Sequence, residues 1–281
     1  MIEILALWAA GWTAPAAPKP SPSTARAFDD YVAIAEKGVR EEESSVGTFV
    51  VVPPTAGHSA QEAALRKGDV VIQEKNGTTK EIPGGLIHHW TGSVLIPHVT
   101  VADVLAVAQD YDHSSRYYTP EVMTSKLIAR DGDDFRIALR LREHKVITVV
   151  MDSEYDVRYG RLDATHQYSW SRSTSVAEIA DASSSHERAV SDADNHGYMW
   201  RLNSYWRFAQ QGDDVVVECE AISLTRNIPT GLGWLIGPFV REIPRESLET
   251  TLRQTRDAVA ARAREEQAKQ TGTQVNTDQK R

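Results

Sequence analysis

Between residues 122 and 226 the chain is a succession of strand-like runs whose joining links are mostly too short for neighbouring strands to lie parallel. Val122–Ala129, Phe135–His144, Ile147–Tyr159, His166–Ala177, Tyr198–Ala209 and Val215–Arg226 each alternate or are rich in β-branched and aromatic residues. Clusters such as Asp131-Gly132-Asp133 and Gln211-Gly212-Asp213 separate most of them. A parallel pair needs a crossover of a dozen or more residues, so these strands are expected to form an antiparallel meander. A seventh strand, Leu86–Ile96, precedes them, followed by a helix, Val101–Ala108, and a polar, Tyr-rich stretch, Asp110–Pro120. After the last strand a Gly-rich apolar loop leads into a charged helix from about Pro244, in which Leu248, Leu252, Thr255 and Val259 recur at three- to four-residue steps. A helix with one apolar stripe must lie on something, and the sheet is the surface available. The expected class is α+β: a curved antiparallel sheet of about seven strands against a long C-terminal helix, with a pocket between.

Composition bounds the partners. The chain has 281 residues, 41% hydrophobic and 25% charged, enough to bury a sizeable core. A net charge of -8 and no basic cluster argue against nucleic acid, which is bound by neutralising phosphates. The lone cysteine, Cys219, sits mid-strand and reads as a small buried hydrophobe.

Residues 1–17 read as a secretory leader: Ile2, Ile4, Leu5, Leu7 and Trp8 are apolar, and Ala14-Pro15-Ala16 follows. Glu3 stands where a basic residue is usual. Export, for instance to a periplasm, is the expectation, with a cytoplasmic protein as the alternative. Residues 18–83 are expected to be a Pro-rich linker and an α/β extension, with helices over Thr24–Glu43 and Ser59–Lys67 and strands over Phe49–Val52 and Val70–Lys75. Residues 84–264 form the main domain, and the Gln- and Lys-rich tail 265–281 is expected to be disordered.

Side-chain alternation sorts the strands into faces. Leu139 and Leu141 oppose Arg140 and Arg142, Val149 and Met151 oppose Asp152 and Glu154, and Trp200, Leu202, Trp206 and Phe208 oppose Arg201, Asn203 and Arg207. The apolar rows are expected to face inward, as core or as cavity wall, and the charged rows to be solvated. In the fourth of the six runs, Trp170, Arg172 and Thr174 share one face and Ser169, Ser171, Ser173 and Ser175 the other. An inward Arg172 would anchor a carboxylate or phosphate; the alternative is a surface or ion-paired arginine. Trp234, in the loop Pro229–Pro238, and Leu252, on the final helix, complete the expected wall. That loop reads as a lid, a membrane-touching tip, or packing under the helix.

The order of strand, helical segment, six strands and long final helix resembles the START-like, or Bet v 1-like, helix-grip superfamily, which includes polyketide cyclase-type proteins. The local likeness lies in Glu220-Ala221-Ile222-Ser223-Leu224, Asn227-Ile228-Pro229 and Ile243-Pro244-Arg245-Glu246-Ser247-Leu248. The resemblance implies a cavity under the last helix for a hydrophobic small molecule or lipid, bound or carried by a monomer that contacts membranes at most peripherally. It implies neither a cofactor nor a catalytic motif. A cyclase, aromatase or hydrolase using the same cavity, and an interaction module with a filled core, are the alternatives.

Catalytic and metal signals are weak. His88 and His89 point to opposite faces of a strand and cannot readily chelate one ion, so no metal site is expected. Asp110, Asp112, His113 and Ser114 offer acid, base and hydroxyl without a known geometry. For chemistry in an apolar cavity, His113, Tyr117, Tyr118 and Arg172 would be the candidates.

Overall fold

The computed structural model describes residues 20–50, 60–75, 79–144, 147–192, 194–227 and 233–278, with side chains from 242 to 269 in the last stretch. The first described helix, α1 (Pro22–Glu43), starts on a Ser21 cap that accepts from the Thr24 amide at 3.2 Å, with proline at the head of the helix. Its buried stripe is Phe28, Val32, Glu36, Val39 and Glu43, so two acids share the apolar face. Helix α2 (Ala60–Arg66) is followed by Gly68, whose φ of +84° suits a left-handed helix stop.

Among the described residues, ten antiparallel strands make one sheet: β1 (Val71–Glu74), β2 (Lys80–Ile82), β3 (Gly85–Ile96), β4 (Val122–Asp131), β5 (Asp134–His144), β6 (Thr148–Arg161), β7 (His166–Ala180), β8 (Arg188–Ala189), β9 (Arg201–Gln211) and β10 (Asp214–Arg226). The order is β1-β3-β10-β9-β7-β6-β5-β4, with β2 added to β3 and β8 to β7. The seven long strands are those expected, and the last of them closes onto the first. Between β3 and β4 lie α3 (Val101–Ala108), opened by a Thr100/Asp103 capping box, a 3-10 turn (Tyr111–His113) and α4 (Ser114–Tyr117). Helix α5 (Gly233–Asp278) lies across the inner sheet face, where Leu248 and Leu252 approach Gly92; a Cβ there would come within 2.5 Å of Leu252.

Three expectations differ from the structure. Phe49 and Val50 are bends rather than strand, while 51–59 lie outside the described residues. The short strand β2 was not foreseen. Helix α5 begins inside the expected loop and continues to Asp278; Glu265-Glu266-Gln267-Ala268-Lys269-Gln270, all good helix formers, carry it past the expected end.

Both faces of the sheet are covered. The largest core cluster lies inside, with Val94, Ile96, Phe135, Val157, Val217, Leu252 and Val259. A second lies outside beneath α1, joining Phe28, Val32 and Val39 to Ile87, Tyr205, Ile222 and Leu224.

Candidate functional site

Between the inner face and α5 lies a cavity of about 440 Å³. Pairing across the sheet explains the space. The row Phe135–Val157–Ser171–Ser204–Ala221–Trp90 crosses six strands, and its three central members are small. Large residues at either end and small ones in the middle leave a hollow that α5 spans without filling. A neighbouring row, Tyr159–Ser169–Trp206–Cys219–Gly92, marks the inner end of that hollow.

Of the residues expected in the wall, Leu139, Leu141, Val149, Met151, Leu202, Trp206 and Phe208 line the cavity. Four lie elsewhere. Trp170 and Arg172 are on the outer face: the Trp170 indole donates to Glu43 at 3.0 Å, and Arg172 pairs with Glu36 at 2.5 Å. Ser169 and Ser171 line the cavity instead, while Ser175, beyond a register shift against β6, is exposed. Trp200 precedes β9, donates its indole N–H to Asn195 at 2.9 Å and joins the outer cluster. Leu252 is fully buried in the inner core rather than on the cavity wall. The side chain of Trp234 lies outside the described residues. Sequence reasoning put Ser204 on the expected concave face with Trp206, but did not single out Trp90, Ala221, Tyr111 or Tyr159 as wall. The cross-strand register of small residues is the signal that finds the sheet members among them, and it becomes readable only once strand order is known.

Hydroxyl groups cluster at the inner end. Tyr159 Oη donates to the Ala108 carbonyl at 3.2 Å and meets Tyr111 Oη at 2.7 Å. Tyr118 Oη meets Thr255 Oγ1 at 3.2 Å, and Thr255 donates onward to the Thr251 carbonyl at 2.8 Å. Burial raises the pKa of all three phenols and of the Cys219 thiol, so each is neutral. Charged residues also line the cavity: Glu121 accepts from Gln254 at 2.8 Å, beside the Tyr118–Thr255 pair, Glu143 accepts from Ser247 at 3.3 Å two turns earlier on α5, and Arg142 and Arg226 complete them.

Of the other candidates, Ser114 lines the cavity, whereas Asp110, Asp112, His113 and Tyr117 do not. His113 holds Asp110 at 2.7 Å, and Tyr117 donates to the same carboxylate at 2.7 Å, which keeps Asp110 below its usual range despite partial burial. His88 and His89 diverge as alternation requires: His88 meets Thr225 at 3.0 Å and His89 meets Glu220 at 2.8 Å. Among the described residues no group of three or more His, Cys, Asp or Glu is placed to hold a metal ion. No described helix is long and apolar enough to cross a membrane.

The outer face carries a buried ionic network that the sequence did not suggest. Fully buried Arg207 contacts Glu42, Glu218 at 2.9 Å and Glu220 at 3.3 Å. Lys75 bridges Glu42 at 2.7 Å and Glu220 at 2.8 Å, and Tyr31 hydrogen-bonds His89 at 2.8 Å. Burial alone would raise Glu220, yet His89 and Lys75 hold its pKa at about 2. Glu43 goes the other way: burial pushes it up to about 7, against the pull of the Trp170 hydrogen bond.

No family model and no curated protein matches the chain. Solved structures similar to it include a protein from Thermus thermophilus, at 17% identity and a TM-score of 0.44 over 62% of this chain and 97% of that one. A STAR-related lipid transfer protein from Xanthomonas axonopodis is 19% identical, with a TM-score of 0.41 over 64% and 98%. The Zhui aromatase/cyclase from a Streptomyces species is 12% identical, with a TM-score of 0.40 over 63% and 94%. The element order, the single antiparallel sheet and the long helix laid across its inner face give this chain the START-like helix-grip fold.

Proposed function

We propose that the domain binds a hydrophobic small molecule or lipid in the cavity between the sheet and α5. One observation carries the reading: the middle of a six-strand row is built of Ser171, Ser204 and Ala221, leaving about 440 Å³ open beneath a helix that could otherwise close on the sheet. Tight packing is the rule in protein interiors, and an unfilled apolar void loses its lining residues' contacts. A cavity of this size bordered by Leu139, Leu202, Trp206 and Phe208 matches the size and lining of small-molecule sites. Burial of an apolar ligand there would restore those contacts.

Native mass spectrometry of protein purified without detergent, followed by solvent extraction, tests this. A stoichiometric apolar adduct, lost in Ser204→Leu, supports the reading. An adduct-free protein that also fails to take up the neutral apolar dye N-phenyl-1-naphthylamine overturns it.

A further inference from the structure

The inner end of the cavity has a direction in its hydrogen bonding. The Tyr159 proton goes to the Ala108 carbonyl, so in the 2.7 Å pair with Tyr111 the proton comes from Tyr111. The Thr255 proton goes to the Thr251 carbonyl, so in the 3.2 Å pair with Tyr118 the proton comes from Tyr118. Ser114 likewise donates to the Asp110 carbonyl, at 3.4 Å. Both proton chains end on main-chain carbonyls and both begin at phenols that line the cavity. Tyr111 and Tyr118 therefore have no proton left to donate, and what they retain is oxygen lone pairs. They are neutral phenols, so a cation is not required to satisfy them. In the adjacent row Trp206 brings an indole N–H, a donor that never accepts.

We infer that the cavity selects a neutral hydrophobic molecule bearing a hydroxyl group, seated hydroxyl-first at the inner end. The hydroxyl donates to the phenol oxygen of Tyr118 or Tyr111. A hydroxyl is also the neutral group that can accept from an indole while donating to a phenol, whereas a carbonyl or ether oxygen only accepts. A carboxylate would bring charge and lone pairs against phenol lone pairs, with the Glu121 carboxylate close to the Tyr118–Thr255 pair adding repulsion. The hydroxyls of Ser171, Ser204 and Ser223 rotate freely between donor and acceptor roles and do not discriminate. Tyr155 also lines the cavity, but its hydroxyl is itself fully buried, beside Ser153.

This inference rests on the cavity reading above, and one titration separates the two. Wild-type protein, Tyr118→Phe, the Tyr111→Phe/Tyr118→Phe double variant and Ser204→Leu are loaded with N-phenyl-1-naphthylamine, and the dye is displaced with 1-dodecanol, dodecyl methyl ether and dodecanoate. The expected result is that dodecanol binds wild type about tenfold more tightly than its ether, the worth of one buried hydrogen bond. The preference shrinks in Tyr118→Phe and vanishes in the double variant while ether affinity holds. Equal affinity of alcohol and ether, or tighter binding of dodecanoate, overturns the hydroxyl assignment and leaves the cavity standing. Failure of wild type to bind the dye or any of the three, or unchanged binding in Ser204→Leu, overturns the cavity reading and this inference with it.

Discussion

Strand β10 shows both faces of the sheet side by side. Inward it presents Val217, Cys219, Ala221 and Ser223; outward it presents Val216, Glu218, Glu220, Ile222 and Leu224, equally buried. The inner row is small and uncharged, and it faces a space. The outer row carries two carboxylates, and it faces α1, which adds a third, Glu42; the cations between them, Arg207 and Lys75, come from β9 and the residue after β1. Burying an ion is costly unless partners surround it, and Glu218 and Glu220 have Arg207, Lys75 and His89. The contrast teaches that burial is two different conditions here: packed and charge-balanced outside, loosely filled and neutral inside. Mutations should therefore report on stability from the outer face and on ligand binding from the inner.

The largest effect should come from removing the centre of the outer network. Arg207→Met leaves Glu218 and Glu220 buried without their shared cation, and the expected loss is about 3–5 kcal/mol of folding stability, read by urea denaturation. A loss below about 1 kcal/mol would mean that α1 is a loose cover through which water reaches the carboxylates.

On the inner face the expectation reverses. Ser204→Leu places a large apolar side chain in an existing hollow, so stability should change by no more than about 1 kcal/mol while dye binding falls at least about tenfold. A strong destabilisation would mean that the row is already tightly packed, and the contrast between faces would collapse.

Much of this architecture could be read in advance. The meander, the seven long strands and the C-terminal helix follow from alternation, link length and one apolar stripe. Alternation also placed Leu139, Met151 and Trp206 on the correct rows. It left β7 undecided, because period two assigns residues to two faces without saying which face is inner. Trp170 and Arg172 are therefore wall candidates beside the alternative of a surface or ion-paired Arg172, and the structure has the alternative: Arg172 pairs with Glu36 of α1 on the outer face. Glu36 and Glu43 on the α1 stripe were the local trace of that arrangement: acids at core spacing need partners on the opposing surface. Which residues meet across a sheet depends on strand order, a long-range property that no short window of sequence contains.

Protonation separates the two signs of pKa shift in the outer network. Glu43, held at about 7, binds its proton more tightly folded than unfolded, so its stabilising contribution is complete below pH 4.5 and declines as pH rises through 7. Glu220, held at about 2, contributes above pH 4.5 and loses that contribution as pH falls through 2. Glu43→Gln should flatten the decline between pH 4.5 and 7, which after solvent screening amounts to about 1–2 kcal/mol. Urea midpoints measured across that window check it. An unchanged slope would mean that Glu43 is hydrated, and that the end of α1 does not seal against Trp170.

The smallest effect belongs to the part of the outer face that α1 leaves uncovered. Arg136 and Asp156 pair at 3.2 Å between β5 and β6, each more than half exposed. Water already solvates both ions, and holding two long side chains together costs entropy, so Arg136→Ala should cost about 0.5 kcal/mol or less. The pair has the same chemistry as Arg207 with Glu218 and differs in its surroundings. The ratio of the two urea-derived losses therefore measures how far α1 removes its portion of the sheet from solvent. Equal losses would show that the helix contributes little to that exclusion. A ratio near ten would assign the difference to the cover and not to the ion pair.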